Sequence, residues 1–158
     1  MTKISENLTP TDKFLLRLLQ QNGRATNAEL AEATHLSESA CLRRVKNLER
    51  AKVIERYAAI VDPTALGYSL TVFVAISLSN QSHDALAAFE KAIISVPEVM
   101  ECHLMTGAYD YMIKLAARDT DDLERLHSMR LTRLPGVARV VSSLALRSVI
   151  KGAGTPGF

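Results

Sequence analysis

The chain has no tryptophan, only 5% aromatic residues and only two cysteines in 158 residues. Cys41 and Cys102 fall in different parts of the sequence and lack metal-ligand spacing, so they are expected as small buried thiols in a reducing compartment. No apolar run approaches the ~18 residues that a membrane-spanning helix needs. The first residues, MTKISENLTPTDK, are polar and do not form a signal peptide, so a cytoplasmic protein without membrane contact is expected. No GxSxG, HExxH, P-loop or GxGxxG pattern occurs, and no cluster of Cys, His and Asp completes a zinc site. An enzyme is therefore not expected, nor a cofactor or metal. The net charge is only +2, which excludes a uniformly basic nucleic-acid binder.

That charge is unevenly placed. Residues 1–61 hold ten Lys/Arg against seven Asp/Glu, and 62–158 hold nine against ten. Within 43–56 there are six basic residues and two acidic ones. A local basic footprint fits a chain in which one part touches DNA and another does something else.

The footprint lies on NAELAEATHLSESACLRRVKNLERAKVI, residues 27–54, which reads as two short helices joined by a tight turn. Ser37 is a natural N-cap for the second, since its hydroxyl can accept from a free N–H of the first turn. At 3.6 residues per turn, Cys41, Val45 and Leu48 share one side. Ser39, Arg43, Lys46, Asn47 and Arg50 share the other, Arg44 lies on the flank, and Ala40 stands close to the helix start. Arg can fork onto guanine and Asn onto adenine in the major groove. Ser, Lys and the remaining Arg suit phosphates. A lone helix of this kind would more often be a solvated face. The preceding helix, with Leu30, Ala31 and Ala33 for packing, turns the reading toward double-stranded DNA.

Around this pair, Thr9-Pro10-Thr11-Asp12 opens an earlier helix, with Thr9 as its cap and Phe14, Leu15, Leu18 and Leu19 as its apolar stripe. The β-prone run VIERYAAIV, residues 53–61, is expected as a short strand or wing, and Asp62-Pro63 and Gly67 bracket a linker. The first unit is thus 1–62 and the linker 63–69. The second unit, 70–151, changes rhythm. A strand over 70–79 alternates Val72, Val74, Ile76 and Leu78 against Thr71, Phe73, Ala75 and Ser77. A helix follows over 84–94, then a hairpin of strands 98–106 and 109–117 around Gly107. A second helix spans 120–134 and a last strand 137–150. The order βαββαβ is the ferredoxin-like pattern, and the whole is α+β. Both helices would cover one sheet face. The other, with Phe73, Ala75, His103 and Met105, is expected to pair with a second copy of the chain. The tail, 152–158, is expected to be loose.

Taken in order, DKFLLRLLQQNGRATNAELAEATHLS, CLRRVKNLERAKVI, Tyr57, Asp62-Pro63, Leu66-Gly67, ECHLMTGAYDYMIK and LPGV resemble the Lrp/AsnC family of transcription regulators, over 9–151. The resemblance implies a winged helix-turn-helix joined to a ligand-sensing, oligomerising domain. It implies homodimers that assemble further, commonly to octamers, and an amino-acid effector bound between neighbouring dimers. The effector residues it implies are His103 and Leu104, the loop Gly107, Ala108, Tyr109 and Asp110, and, from a neighbouring subunit, Gly136, Val137 and Ser142. Asp110 could accept from an ammonium group, whereas its plain reading is a carboxylate that caps the hairpin backbone. His103 and His127 read as ordinary packing or interface histidines. Four places depart from the family pattern. His35 stands where the turn usually has Gly, and Lys52 where the stop after the basic helix usually has Gly, which implies a differently closed helix end. Ala108 replaces a frequent acidic residue, and Val140, Val141 and Ser142 replace a Thr-x-Thr pattern. The function expected is a sequence-specific regulator whose assembly or DNA affinity responds to a small molecule. The alternative is an architectural DNA-binding protein that needs no ligand.

Overall fold

The computed structural model describes residues 8–149 and divides them into two units that meet between 60 and 61. Ile150, where the last strand is expected to end, and the tail at 152–158 lie outside the described residues.

The first unit contains three helices, α1 (Pro10–Gln21), α2 (Asn27–Thr34) and α3 (Glu38–Arg50). Each start carries the side-chain cap that its sequence calls for. Thr9 accepts from Asp12 N and Asp12 reaches back to Thr9, a reciprocal capping box that satisfies donors the helix itself cannot. Thr26 and Glu29 do the same for α2, and Ser37 caps α3 by accepting from Ala40 N. Leu15, Leu30, Ala31 and Cys41 form the buried centre, with Leu18, Leu19, Ala25, Leu36 and Val45 around it. Leu16 is buried as well, while Phe14, placed in the apolar stripe by the sequence, is 39% exposed.

Both short helices end in the left-handed region without glycine: His35 has φ 54 and Lys52 φ 58. In each case the N–H of the residue after the left-handed one reaches back five residues, Leu36 N to Ala31 O at 2.9 Å and Val53 N to Leu48 O at 3.0 Å. The end of α3 is therefore closed as a glycine would close it, which corrects the expectation drawn from Lys52. The run 53–61 forms no strand. Its β propensity has no neighbouring strand to pair with among the described residues of the unit, and β propensity expresses itself only in such a context.

The second unit begins with a 3₁₀ turn at Pro63–Leu66, followed by β1 (Leu70–Leu78), α4 (His83–Ile93), β2 (Val99–Leu104), β3 (Tyr111–Ala117), α5 (Thr120–Met129) and β4 (Val137–Leu144). The strands form one antiparallel sheet in the order β2-β3-β1-β4. This is the βαββαβ arrangement the sequence predicts. The second helix is shorter than expected: it stops at Met129, and Leu131–Arg133 is a separate 3₁₀ turn that buries Leu131. The last strand ends at Leu144 rather than running on.

The alternation in β1 decides the layers. Val72, Val74, Ile76 and Leu78 pack with Tyr111, Ile113 and Leu115 of β3 under Phe89 and Ile93 of α4 and Leu126 of α5. The Phe89 and Tyr111 rings lie 4.4 Å apart, tilted, and the buried Tyr111 hydroxyl donates to Glu90 Oε1 at 2.9 Å. Burial and that hydrogen bond to a carboxylate both push the phenol pKa up. Paired residues of an antiparallel ladder share a face. The opposite face therefore carries rows such as His103, Met112, Ala75 and Val141, and Glu101, Lys114, Phe73 and Ser143. Met105, expected on this face, lies one residue past the end of β2, where its N–H still donates to Asp110 O at 2.8 Å.

Candidate DNA-binding face and effector loop

The polar side of α3 is exposed from end to end: Ser39, Arg43, Lys46, Asn47 and Arg50 all face solvent, while Cys41 and Leu48 are buried. Two ties fix the start of the helix. Asn27 Nδ2 donates to Glu38 O at 2.9 Å, linking the first residue of α2 to the first of α3. The Ser37 hydroxyl accepts from Ala40 N at 3.3 Å and lies 3.2 Å from the Ser39 hydroxyl. Ala40 itself is half-buried, and its small side chain keeps the helix start narrow. Near the other end, Arg50 Nη1 donates to Asn47 Oδ1 at 3.2 Å, so two of the base-reading candidates rest against each other. Tyr57 donates to Glu49 Oε1 at 2.9 Å and holds the chain that leaves the helix.

Arg44 behaves differently from the rest of the expected set. Its Nη1 lies 2.9 Å from Asp12 Oδ1 and 3.4 Å from Thr9 Oγ1, both at the start of α1. Burial alone would raise the Asp12 carboxyl. The hydrogen bonds from Thr9 and the Arg44 guanidinium outweigh it and hold the group below its ordinary value. Asp12 was legible only as a first-turn acid. Nothing in the sequence links it to a residue 32 positions later.

The effector-loop residues gather at one end of the sheet. Asp110 N donates to Ile76 O at 2.9 Å, and its own carbonyl accepts from Met105 N at 2.8 Å. Both carboxylate oxygens are engaged. Oδ2 accepts from Leu78 N at 2.6 Å and Oδ1 from Gln81 Nε2 at 2.7 Å. Asp110 thus clamps the hairpin to the end of β1, the capping role of its plain reading. Gln81 was not singled out by the sequence. Gly136 and Val137 reach the same end, since Ser79 N donates to Gly136 O at 2.8 Å and Leu78 pairs with Val137. Gly107 takes φ +114 with open space where a Cβ would stand, and Ala108 and Tyr109 are exposed beside it. Leu104 is 58% exposed at the end of β2. His103 lies near this end on the open face, 3.5 Å from Glu101. Ser142 does not join them within one chain. It pairs with Val74, midway along the sheet and on the face opposite His103.

The two units match two parts of one family. Residues 8–49 match the AsnC-type helix-turn-helix domain and residues 71–154 the Lrp/AsnC ligand binding domain. The chain belongs to the Lrp/AsnC family. The Bkd operon transcriptional regulator of Pseudomonas aeruginosa is 39% identical over 145 residues, 92% of this chain and 95% of that protein. The leucine-responsive regulatory protein of Escherichia coli K12 is 39% identical over 132 residues, 84% and 80% of the two chains. Among solved structures, a transcriptional regulator of Neisseria meningitidis in complex with L-Met superposes with a TM-score of 0.90 at 34% identity, over 95% of this chain and 97% of its own. The structure of Escherichia coli AsnC superposes with a TM-score of 0.83 at 26% identity, over 91% and 95%. As an Lrp/AsnC member the chain is a ligand-binding transcription regulator rather than an enzyme, with a DNA-binding helix-turn-helix domain over 8–49. No helix among the described residues is long and apolar enough to cross a membrane.

Proposed function

We propose that this regulator binds double-stranded DNA in the cytoplasm through Ser37, Ser39, Ala40, Arg43, Lys46, Asn47 and Arg50, and that an amino acid controls its assembly or its DNA affinity. The observation that carries this reading is the gathering of the 107–110 loop, Gly136 and Val137 at one sheet end in a chain so similar to a regulator solved with L-Met. Backbone N–H groups around Gly107 suit a carboxylate, and Leu104 and Tyr109 offer apolar surface to a side chain. The open sheet face, with Phe73 and Val141, joins two copies, and these dimers assemble further, up to an octamer. Ser142 comes into play only through such assembly. The units 1–62 and 70–151, joined by 63–69, fold separately, so a 69–151 fragment remains dimeric or larger and does not bind DNA.

The test is differential scanning fluorimetry of the full chain against the twenty amino acids. A ligand of the folded state raises apparent stability by RT ln(1 + [L]/Kd), about 2.7 kcal/mol at a hundredfold excess over Kd. A shift for one or a few amino acids supports the reading. No shift for any of them, with DNA binding retained in a gel-shift assay, leaves the architectural alternative in its place. The DNA assignment is tested by Arg43→Ala, expected to cost about 1–3 kcal/mol at a specific site.

A further inference from the structure

The recognition helix carries four arginines and lysines on or beside its reading side, and one of them is already engaged. We propose that Arg44 is a positioning residue, held by Asp12 so that it sets the orientation of α3 against α1, and that it does not neutralise a DNA phosphate. The proposal rests on α3 being the DNA-contacting helix.

The hydrogen bonds divide Asp12 cleanly. Oδ2 accepts from Thr9 N at 3.0 Å and from Thr9 Oγ1 at 2.6 Å, which closes the cap of α1. Oδ1 is left for Arg44 at 2.9 Å. The Asp12 side chain is 13% exposed against 36% for Arg44. Swinging Arg44 out to a phosphate would leave a largely buried carboxylate oxygen without a partner, and an unpaired buried charge is far more costly than a solvated one. The surroundings give this ion pair its leverage. The first turn of α3 is fixed by Cys41 in the core, but beside the second half lies a cleft of about 220 Å³, lined by Leu8, Asp12, Arg44, Leu48 and Val53 among others. Leu48 is buried beside that cleft, and the Arg44–Asp12 tie borders it and links α3 to the start of α1. Arg43, Lys46 and Arg50 remain as the cations of α3 that can reach DNA.

Salt dependence separates the two roles. Each phosphate contact made to B-DNA contributes about 0.9 to the slope of log K against log salt. The assay uses the full chain and a duplex selected by the wild-type protein from a random-sequence library, with binding measured across a salt series. Far-ultraviolet circular dichroism checks folding at the assay temperature. K46Q serves as the contact control and should lower the slope by about 0.9 per protomer. R44Q should weaken binding roughly tenfold, the low end for a charge-assisted hydrogen bond, with no change of slope. D12N keeps an acceptor for the cap of α1 and cannot itself reach DNA. It should weaken binding to a similar degree with the slope unchanged. D12N/R44Q should be no weaker than the worse single variant, because the two residues act as one device. The proposal is overturned if R44Q lowers the slope as K46Q does, if D12N binds as well as wild type, or if the losses add. D12N decides the matter alone should R44Q not fold. Unchanged affinity and slope in R43Q, K46Q and R50Q together would instead remove α3 from the DNA and the proposal with it.

Discussion

Removing the Asp110 carboxylate tests whether the effector loop is held by its own chain or left free for a ligand. In Asp110→Ala the backbone bonds to Ile76 and Met105 survive, but Leu78 N–H loses its acceptor at 2.6 Å and Gln81 loses its partner at 2.7 Å. Leu78 is only 8% exposed, so water reaches its stranded N–H poorly. A hydrogen bond from a backbone donor to a charged group contributes about 1.5–3 kcal/mol, and the exposed Gln81 contact adds little. The expected loss is about 2 kcal/mol from the sheet unit. For a unit the size of Val61–Val149 this lowers the melting temperature by about 10 °C. Asp110→Asn keeps an acceptor and loses the charge, and should recover about half of the loss. The assay is urea and thermal unfolding followed by tyrosine fluorescence, since Tyr68, Tyr109 and Tyr111 lie in this unit and the chain has no tryptophan. An Asp110→Ala protein as stable as wild type that no longer responds to an amino acid would refute the clamp and return the carboxylate to the ligand.

Three further outcomes follow from the same structure. Gly107→Ala meets no atoms, so its cost should come from φ +114 alone, roughly 1–2 kcal/mol in urea unfolding, and Gly107→Val should cost more. The pKa of Asp12 is lowered in the folded chain, so its contribution to stability is complete above its ordinary value of 3.8 and is lost as pH falls through the folded value. Acid unfolding of the helical unit, followed by circular dichroism, should therefore begin at higher pH in Asp12→Ala than in wild type. Phe73→Lys places a charge in the middle of the open sheet face and should shift the sedimentation coefficient toward the monomer. An unchanged assembly would move the interface elsewhere.

Local rules made much of this fold legible. Thr9 and Ser37 cap where short polar side chains precede apolar periodicity, and the spacing of Cys41 and Leu48 picks out the buried side of α3. The alternation of Val72, Val74 and Ile76 gives the layer order before any pairing is known. Long-range partners were not legible. Arg44 reads as one more cation on a basic helix because Asp12 lies across a tertiary contact. Asp110 reads as a hairpin cap, but its actual partners, Leu78 N and Gln81, belong to a strand end that only the sheet brings close. The run 53–61 carries strand propensity that a single unit has no ladder to use. Ser142 is expected from a neighbouring subunit, and the two-residue period of β4 places it on the face opposite His103 of its own chain.

The two left-handed residues that bracket α3 make the helix a ruler. His35 ends α2 and Ser37 then caps the start of α3, while Lys52 stops it after, and thirteen residues lie in the helix. A helix that frays can absorb an added residue at its end. One stopped at both ends turns everything beyond the insertion by about 100°. Such a turn would carry Asn47 and Arg50 off the side that bears Arg43. The phase of the reading face is thus written into the stops as much as into the readers, and side chains can be exchanged on this helix far more safely than its length.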